Sequence, residues 1–316
     1  MTLGFGKPTI RAFGKLPIAG DFLSYGAFRG VAEEWRNWMS AAFADEVTTS
    51  SRSLTNRIYR FWYRGDHSGL LRTPVAGFLM DSADRLGRRF PFSWYTTVSA
   101  AGRGGDGALR GAFASWGALA GLLPKLSTVD SADDLYKTLD GAPLTRLLAQ
   151  ELPASQGSDA TIGDLLDALF SGDEEREHCF LGRLQRIFAL SESEGAQARI
   201  ALRLPMNSGY SSDHQALTWL RVLDGRPGGS KADVPNVLIP GDRRSSDPML
   251  IFLRDLDRND GRRVFVEDPE GAGLFDLTAP SPADSAEADR TQGQSVASRL
   301  DRSLSLSAVS GQAFWG

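Results

Sequence analysis

The apolar positions alternate between helical and strand spacing along the chain. Residues 28–43 place Phe28, Val31, Trp35, Trp38, Met39, Ala42 and Phe43 at three- and four-residue spacings. Glu33, Glu34, Arg36 and Asn37 fall on the other side, so the pattern predicts a helix with one aromatic stripe turned to a core. Short runs rich in aromatic and β-branched residues, Arg57–Tyr63, Val75–Met80 and Phe92–Val98, predict strands. The spacing then becomes helical over Gly107–Leu123, Ala132–Glu151, Ile162–Phe170 and Glu174–Leu190, with breaks at GRGGDG (102–107) and ASQGSD (154–159). Strand signals return at Ala198–Leu204, 236–239 and 249–254. Between them Asp213–Leu223 predicts a helix that Ser211 or Ser212 can cap. The string RNDG at 258–261 predicts a turn leading into Arg263–Glu267 as a hairpin.

From about 279 the composition shifts to Ser, Ala, Asp, Gln and Gly with scattered charges. Such a stretch buries too little apolar surface to offset ordering, which predicts a disordered tail over 279–316. The expected layout is one mixed α/β body over 1–278. It comprises a motif-bearing region at 8–100, a helical region at 105–190 and returning strands at 198–267.

With 316 residues, 41% hydrophobic and 23% charged, the chain can bury a substantial core. Its net charge of -4 shows no basic surplus or stripe, which argues against nucleic-acid binding. Cys179 is the single cysteine, so neither an intramolecular disulfide nor a multi-cysteine metal site is expected. No run approaches the ~18 consecutive apolar residues of a membrane span. The opening residues also lack the apolar stretch of a secretory signal, so the expected location is the cytoplasm.

Catalytic templates fail one after another. No G-x-S-x-G is present, and Gly14-Lys15 is followed by Leu16 where a phosphate loop needs Ser or Thr. The acids around Gly261 would put Leu256 at the first position of a calcium loop, where a carboxylate is required. His67, His178 and His214 are never at metal-ligand spacing, and Cys179 lies in an apolar helical pattern. The chain is therefore expected to use no catalytic set, cofactor or metal.

Two strings carry specific backbone and charge roles. In Gly14–Phe22, Pro17 restrains Leu16, Gly20 permits a φ that other residues avoid, and Asp21 can accept from nearby amides. Either this is a structural loop whose Phe22 plugs the core, or it presents Lys15 and Asp21 to a partner. The second string, Met80–Phe92, packs Asp81, Asp84, Arg85, Arg88 and Arg89 into nine residues. Its arginines either staple their own loop through bidentate pairs or grip an acidic or phosphorylated partner. Gly87 allows a tight turn, and along a strand Arg88 and Arg89 point to opposite faces. Arg88 is expected to pair internally, and Arg89 to join Arg85 in the solvent.

The order G-K-L-P-x-x-G-D-F at 14–22, the helix with Trp35 and Trp38, R-F-W at 60–62 and D-R-x-G-R-x-F-P at 84–91 resembles the TagF family, also called ImpM. The resemblance runs over roughly 8–255 and is strongest in the first hundred residues. One departure is Met80-Asp81-Ser82, where the family often has Pro before the Ser. The resemblance implies a three-layer α/β/α sandwich with a mixed central sheet. It also implies a cytoplasmic post-translational regulator that restrains assembly of a type VI secretion system, in some systems by engaging the forkhead-associated scaffold protein. Partner-facing residues would be Lys15, Asp21, Arg85 and Arg89, and loop-forming ones Gly14, Pro17, Gly20, Asp84, Gly87, Arg88 and Pro91. The competing expectation is an enzyme or small-molecule binder that gathers Lys15, Asp21 and Arg88 in one polar pocket.

Overall fold

A computed structural model describes residues 9–44, 57–65, 73–98, 105–144, 160–194, 200–224, 235–242, 245–265 and 274–306. In chain order the first elements are β1 (Ile10–Gly14), β2 (Leu23–Tyr25), α1 (Val31–Ala42), β3 (Ile58–Tyr63), β4 (Val75–Met80) and β5 (Phe92–Thr97). Helices α2 (Gly105–Ala120), α3 (Leu123–Leu126), α4 (Ala132–Asp140), α5 (Ile162–Phe170) and α6 (Glu174–Glu194) follow. Next come β6 (Ala201–Leu204), α7 (Ser212–Asp224), β7 (Asn236–Pro240) and β8 (Met249–Phe252). The last elements are α8 (Asp260–Phe265), β9 (Leu274–Asp276) and α9 (Ala286–Ala297).

These elements form two compact units, each discontinuous in sequence, in place of the single 1–278 body expected. The first takes in Met1–Leu152, Asn236–Gly241 and Asp255–Asp268; the second takes in Pro153–Pro235, Asp242–Arg254 and Pro269–Gly316.

In the first unit the strands lie in the order β2-β1-β5-β4-β3-β7, every pair antiparallel. Neighbouring side chains on a strand point to opposite faces, and β5 shows what covers each face. The Tyr95 hydroxyl donates to Ala32 O of α1 at 3.0 Å, whereas the Trp94 ring NH donates to Leu119 O of α2 at 3.4 Å. The expected α/β/α layering is therefore met. On the α1 face, Trp35 stacks on Phe61 at 3.8 Å between ring centres and donates to Ser93 Oγ at 3.1 Å. On the α2 face, the Arg60 guanidinium lies over the Trp116 ring and donates to Pro240 O.

The hairpin expected at 258–267 is instead helix α8. Asp260 Oδ2 accepts from Asp257 N–H at 2.8 Å while Asp260 N–H donates to Asp257 O at 3.2 Å. This reciprocal bond closes a first turn, and Val264 and Phe265 are then buried together. The part of that prediction beyond 265, and residues 145–151 of the helix expected at 132–151, lie outside the described residues.

The second unit pairs β8 and β6 antiparallel and β6 and β9 parallel, so the strands of the protein are mixed in direction. Helix α5 opens with a reciprocal cap: Asp164 N–H donates to Thr161 Oγ1 at 3.1 Å, and Thr161 N–H to Asp164 Oδ2 at 2.8 Å. The disordered tail expected from 279 is corrected as far as residue 306. Helix α9 packs along α6 at backbone contact distance: a Cβ on Gly293 would lie 1.7 Å from His178 O, and one on Gly182 would lie 1.8 Å from Asp289 O. Asp289 is buried there and meets Arg186 at 3.0 Å. The chain after α9 then crosses α5, where Gly163 N–H reaches Arg302 O at 3.0 Å and Arg302 grips Asp167 at 2.6 Å and Glu177. Small residues that look poor in buried area permit this approach, and Val296, Leu300 and Leu306 supply the apolar burial. Residues 307–316 lie outside the described set.

Candidate functional site

Both singled-out strings belong to the first unit, and they meet. Strand β1 ends at Gly14, with φ of +136°; a Cβ there would lie 2.0 Å from Pro91 O, so only a glycine lets the two backbones touch. The chain then turns at Leu16–Ala19, closed by Ala19 N–H to Leu16 O at 3.2 Å, with Pro17 at the second turn position that suits its fixed φ. Opposite it, an Ala83–Arg89 bridge brackets a second turn, closed by Gly87 N–H to Asp84 O at 2.9 Å. Gly87 takes the positive φ of +80° that lets the chain return.

Asp84 is the hub of both turns. Its Oδ2 accepts from Lys15 Nζ at 2.9 Å and Arg88 Nε at 2.7 Å, and its Oδ1 accepts from the Leu86 and Arg88 amides, each at 2.9 Å. Burial by itself raises the Asp84 pKa. The hydrogen bonds from the Lys15 ammonium, the Arg88 amide and guanidinium and the Leu86 amide outweigh it and hold the carboxyl well below the usual range. Further bonds tie the loops to each other: Arg85 N–H donates to Ala19 O at 2.9 Å, and the Arg88 guanidinium donates to Gly20 O.

The residues expected to face a partner divide. Lys15 is 1% exposed and committed to Asp84, so it presents nothing to a partner. Arg89 is also buried, and one of its terminal nitrogens lies 2.7 Å from both oxygens of Asp81. The expectation of an exposed Arg89 is corrected, because the buried Asp81 carboxylate draws its guanidinium inward. Arg88 does pair internally, as expected, yet its side chain keeps 42% of its surface in solvent. Asp21 and Arg85 are exposed; Asp21 accepts from Phe22 N–H at 2.8 Å. Gly20 does not take a positive φ. Phe22 is no plug: it leans on Phe13 and Phe90 with 41% of its surface exposed.

Lys15 and Arg88 therefore spend their charge on a structural carboxylate, and Asp21 binds its own neighbour's amide. That is a scaffold for holding a shape. Sequence reasoning passed over Leu86, which stands at the turn apex with 68% exposure. Its signal was present: it is a large apolar residue inside a charged turn, with no periodic partner on either side. Elsewhere, the Cys179 thiol rests 3.7 Å from Ala286 O in the second unit, with its pKa pushed up by burial and by the nearby Asp289 and Glu175 charges. Among the described residues, no group of three or more His, Cys, Asp or Glu gathers as a metal site, and no helix is long and apolar enough to cross a membrane.

Residues 12–140 match the family model of the TagF N-terminal domain, described as type VI secretion system-associated. The match takes in both loops and α1 to α4 of the first unit. The crystal structure of PA0076 from Pseudomonas aeruginosa PAO1 is 25% identical over 43% of this chain and 63% of that one, with a TM-score of 0.33. This chain thus spans less than two thirds of that protein. No curated protein matches it.

Proposed function

Taking as premise that residues 12–140 are a TagF N-terminal domain, associated with type VI secretion, we propose that this chain is a cytoplasmic post-translational regulator of that apparatus. It restrains assembly by binding another protein, the forkhead-associated scaffold, and catalyses no reaction. The observation that carries this reading is the use of charge around Asp84. Four hydrogen bonds from its surroundings fix one carboxylate, and all of them serve to hold a turn whose apex, Arg85 and Leu86, points away from the core. A site built for chemistry keeps its titratable groups near the working pH and open to a substrate. Here the Lys15 ammonium and the Asp84 carboxylate are buried and engaged with each other, so neither is open to a substrate. A pre-shaped turn lowers the ordering cost of binding, and arginine is among the residues that dominate protein contacts.

The test is cellular. Overproduction of the chain in its native host should lower the number of assembled contractile sheaths per cell, and deletion should raise it, with transcript levels unchanged. Equal sheath numbers in all strains contradict the regulatory role.

A further inference from the structure

Resting on that binding reading, we infer that the 84–88 turn and the Phe22 ring together form a docking surface for an acidic protein segment carrying an apolar anchor. Three large hydrophobic side chains are conspicuously exposed among the described residues, and two of them, Leu86 and Phe22, belong to this small area. The two loops are one surface. The Arg85 amide and the Arg88 guanidinium each bond a carbonyl of the 17–22 loop, and a Cβ on Gly20 would lie 3.7 Å from Arg85 Nη2. Leu86 is held at a turn apex by its own amide bond to Asp84, at 2.9 Å. Its position is fixed before any partner arrives, which removes part of the ordering cost of association.

Charge selects the occupant. Lys15 and Arg88 share the single carboxylate of Asp84, which leaves one positive charge over, and the Arg85 side chain makes no ion pair among the described residues. Asp21 is the acid beside them; its carboxylate accepts from the Phe22 amide and keeps its charge, so with Arg85 one net positive charge remains. The area is therefore positive on a chain whose net charge is -4, and it complements an acidic segment. An anionic membrane is the poorer fit, because attachment to lipid surfaces draws on clusters of about four to eight basic residues. Arginine is enriched at protein hot spots, and exposed apolar side chains rimmed by polar ones mark contact surfaces.

The experiment uses the full chain and fluorescein-labelled peptides read by anisotropy. One peptide alternates glutamate with leucine, a second replaces each glutamate by lysine, and a third replaces each leucine by alanine. The first should bind best. Arg85→Glu and Leu86→Asp should each weaken it by about tenfold, with unchanged melting temperature, and added salt should weaken it further. Arg85→Gln, the milder change, should fall between wild type and Arg85→Glu. Equal affinity for the glutamate and lysine peptides overturns the proposal, as does binding that ignores both substitutions. So does binding to phosphatidylserine vesicles in place of peptide, or a dimer of this chain that Leu86→Asp dissociates. Failure here with sheath numbers still responding to the chain removes the surface and leaves the regulatory reading intact. A sound peptide result with unresponsive sheaths does the reverse.

Discussion

Two regions of this protein solve one problem, holding chain segments far apart in sequence against each other, by opposite means. In the first unit, the 14–22 loop and the 81–92 string are joined by charge, Lys15 on Asp84, while Arg88 on Asp84 and Arg89 on Asp81 staple the string itself. In the second unit, α6 and α9 are joined by shape, with glycine hydrogens set against backbone carbonyls at Gly182 and Gly293. A charged hub is sensitive to pH and to the loss of any one partner, and it leaves an outward turn rigid. The glycine seam, which also carries the Arg186–Asp289 pair, fails when a side chain is added to it.

The largest effect that sharpens this contrast comes from removing the hub. Asp84→Ala strips the acceptor from the buried Lys15 ammonium and from the turn's own amides. The expected loss is about 3–5 kcal/mol, since an uncompensated charge is left inside. Denaturant unfolding measures it, and a change under about 1 kcal/mol breaks the hub account.

The seam comes next. Gly293→Ala places a methyl group where His178 O already lies, and forced overpacking of this kind costs about 1–3 kcal/mol. Hydrogen exchange should show faster opening of 286–297, with the Asp84 turn unaffected. Uniform protection in the variant and wild type would mean that α9 does not pack on α6 at this distance.

Acid then separates the regions without mutation. The folded-state pKa of Asp84 is depressed, so its contribution is complete above about pH 4, the unfolded carboxylate value, and is lost as pH falls below it. Tryptophan fluorescence, to which the first unit contributes Trp35, Trp38, Trp62, Trp94 and Trp116, should report destabilisation on acidification. Asp84→Asn should flatten that dependence, whereas Gly293→Ala should leave its slope unchanged.

How far the sequence announced each region follows from the same contrast. Charges are visible in a string of letters, so the 84–91 motif reads as a staple or a grip, with Arg88 on the staple side. Which arginine turns inward was not visible, because Asp81 lies across the Ala83–Arg89 bridge and draws Arg89 into the interior. Aromatic periodicity likewise announced α1, β3, β4 and β5, and the α/β/α layering agrees with the resemblance. The seam left no such mark. A Ser-, Ala- and Gly-rich stretch has the composition of disorder, and only a partner helix with its own glycine at 182 turns the missing side chains into contact area. The RNDG string misled in the same manner, since Asp257 and Asp260 cap a helix start with residues that also make turns.

The smallest expected effect on stability belongs to the turn apex. Arg85→Ala and Leu86→Ser should each shift folding by less than about 0.5 kcal/mol, because neither side chain holds anything in place. A marked early melt in either would make the apex part of the scaffold and end its role as a contact.

The central claim is that this chain works by gripping a protein of the secretion apparatus through that apex. Calorimetric titration of the purified forkhead-associated scaffold into wild-type chain and into Arg85→Glu tests it most directly. The account predicts a saturable complex with wild type and a weakening of about tenfold for the variant, at equal melting temperatures. Absence of any association at tens of micromolar, or equal affinity for the two chains, contradicts it.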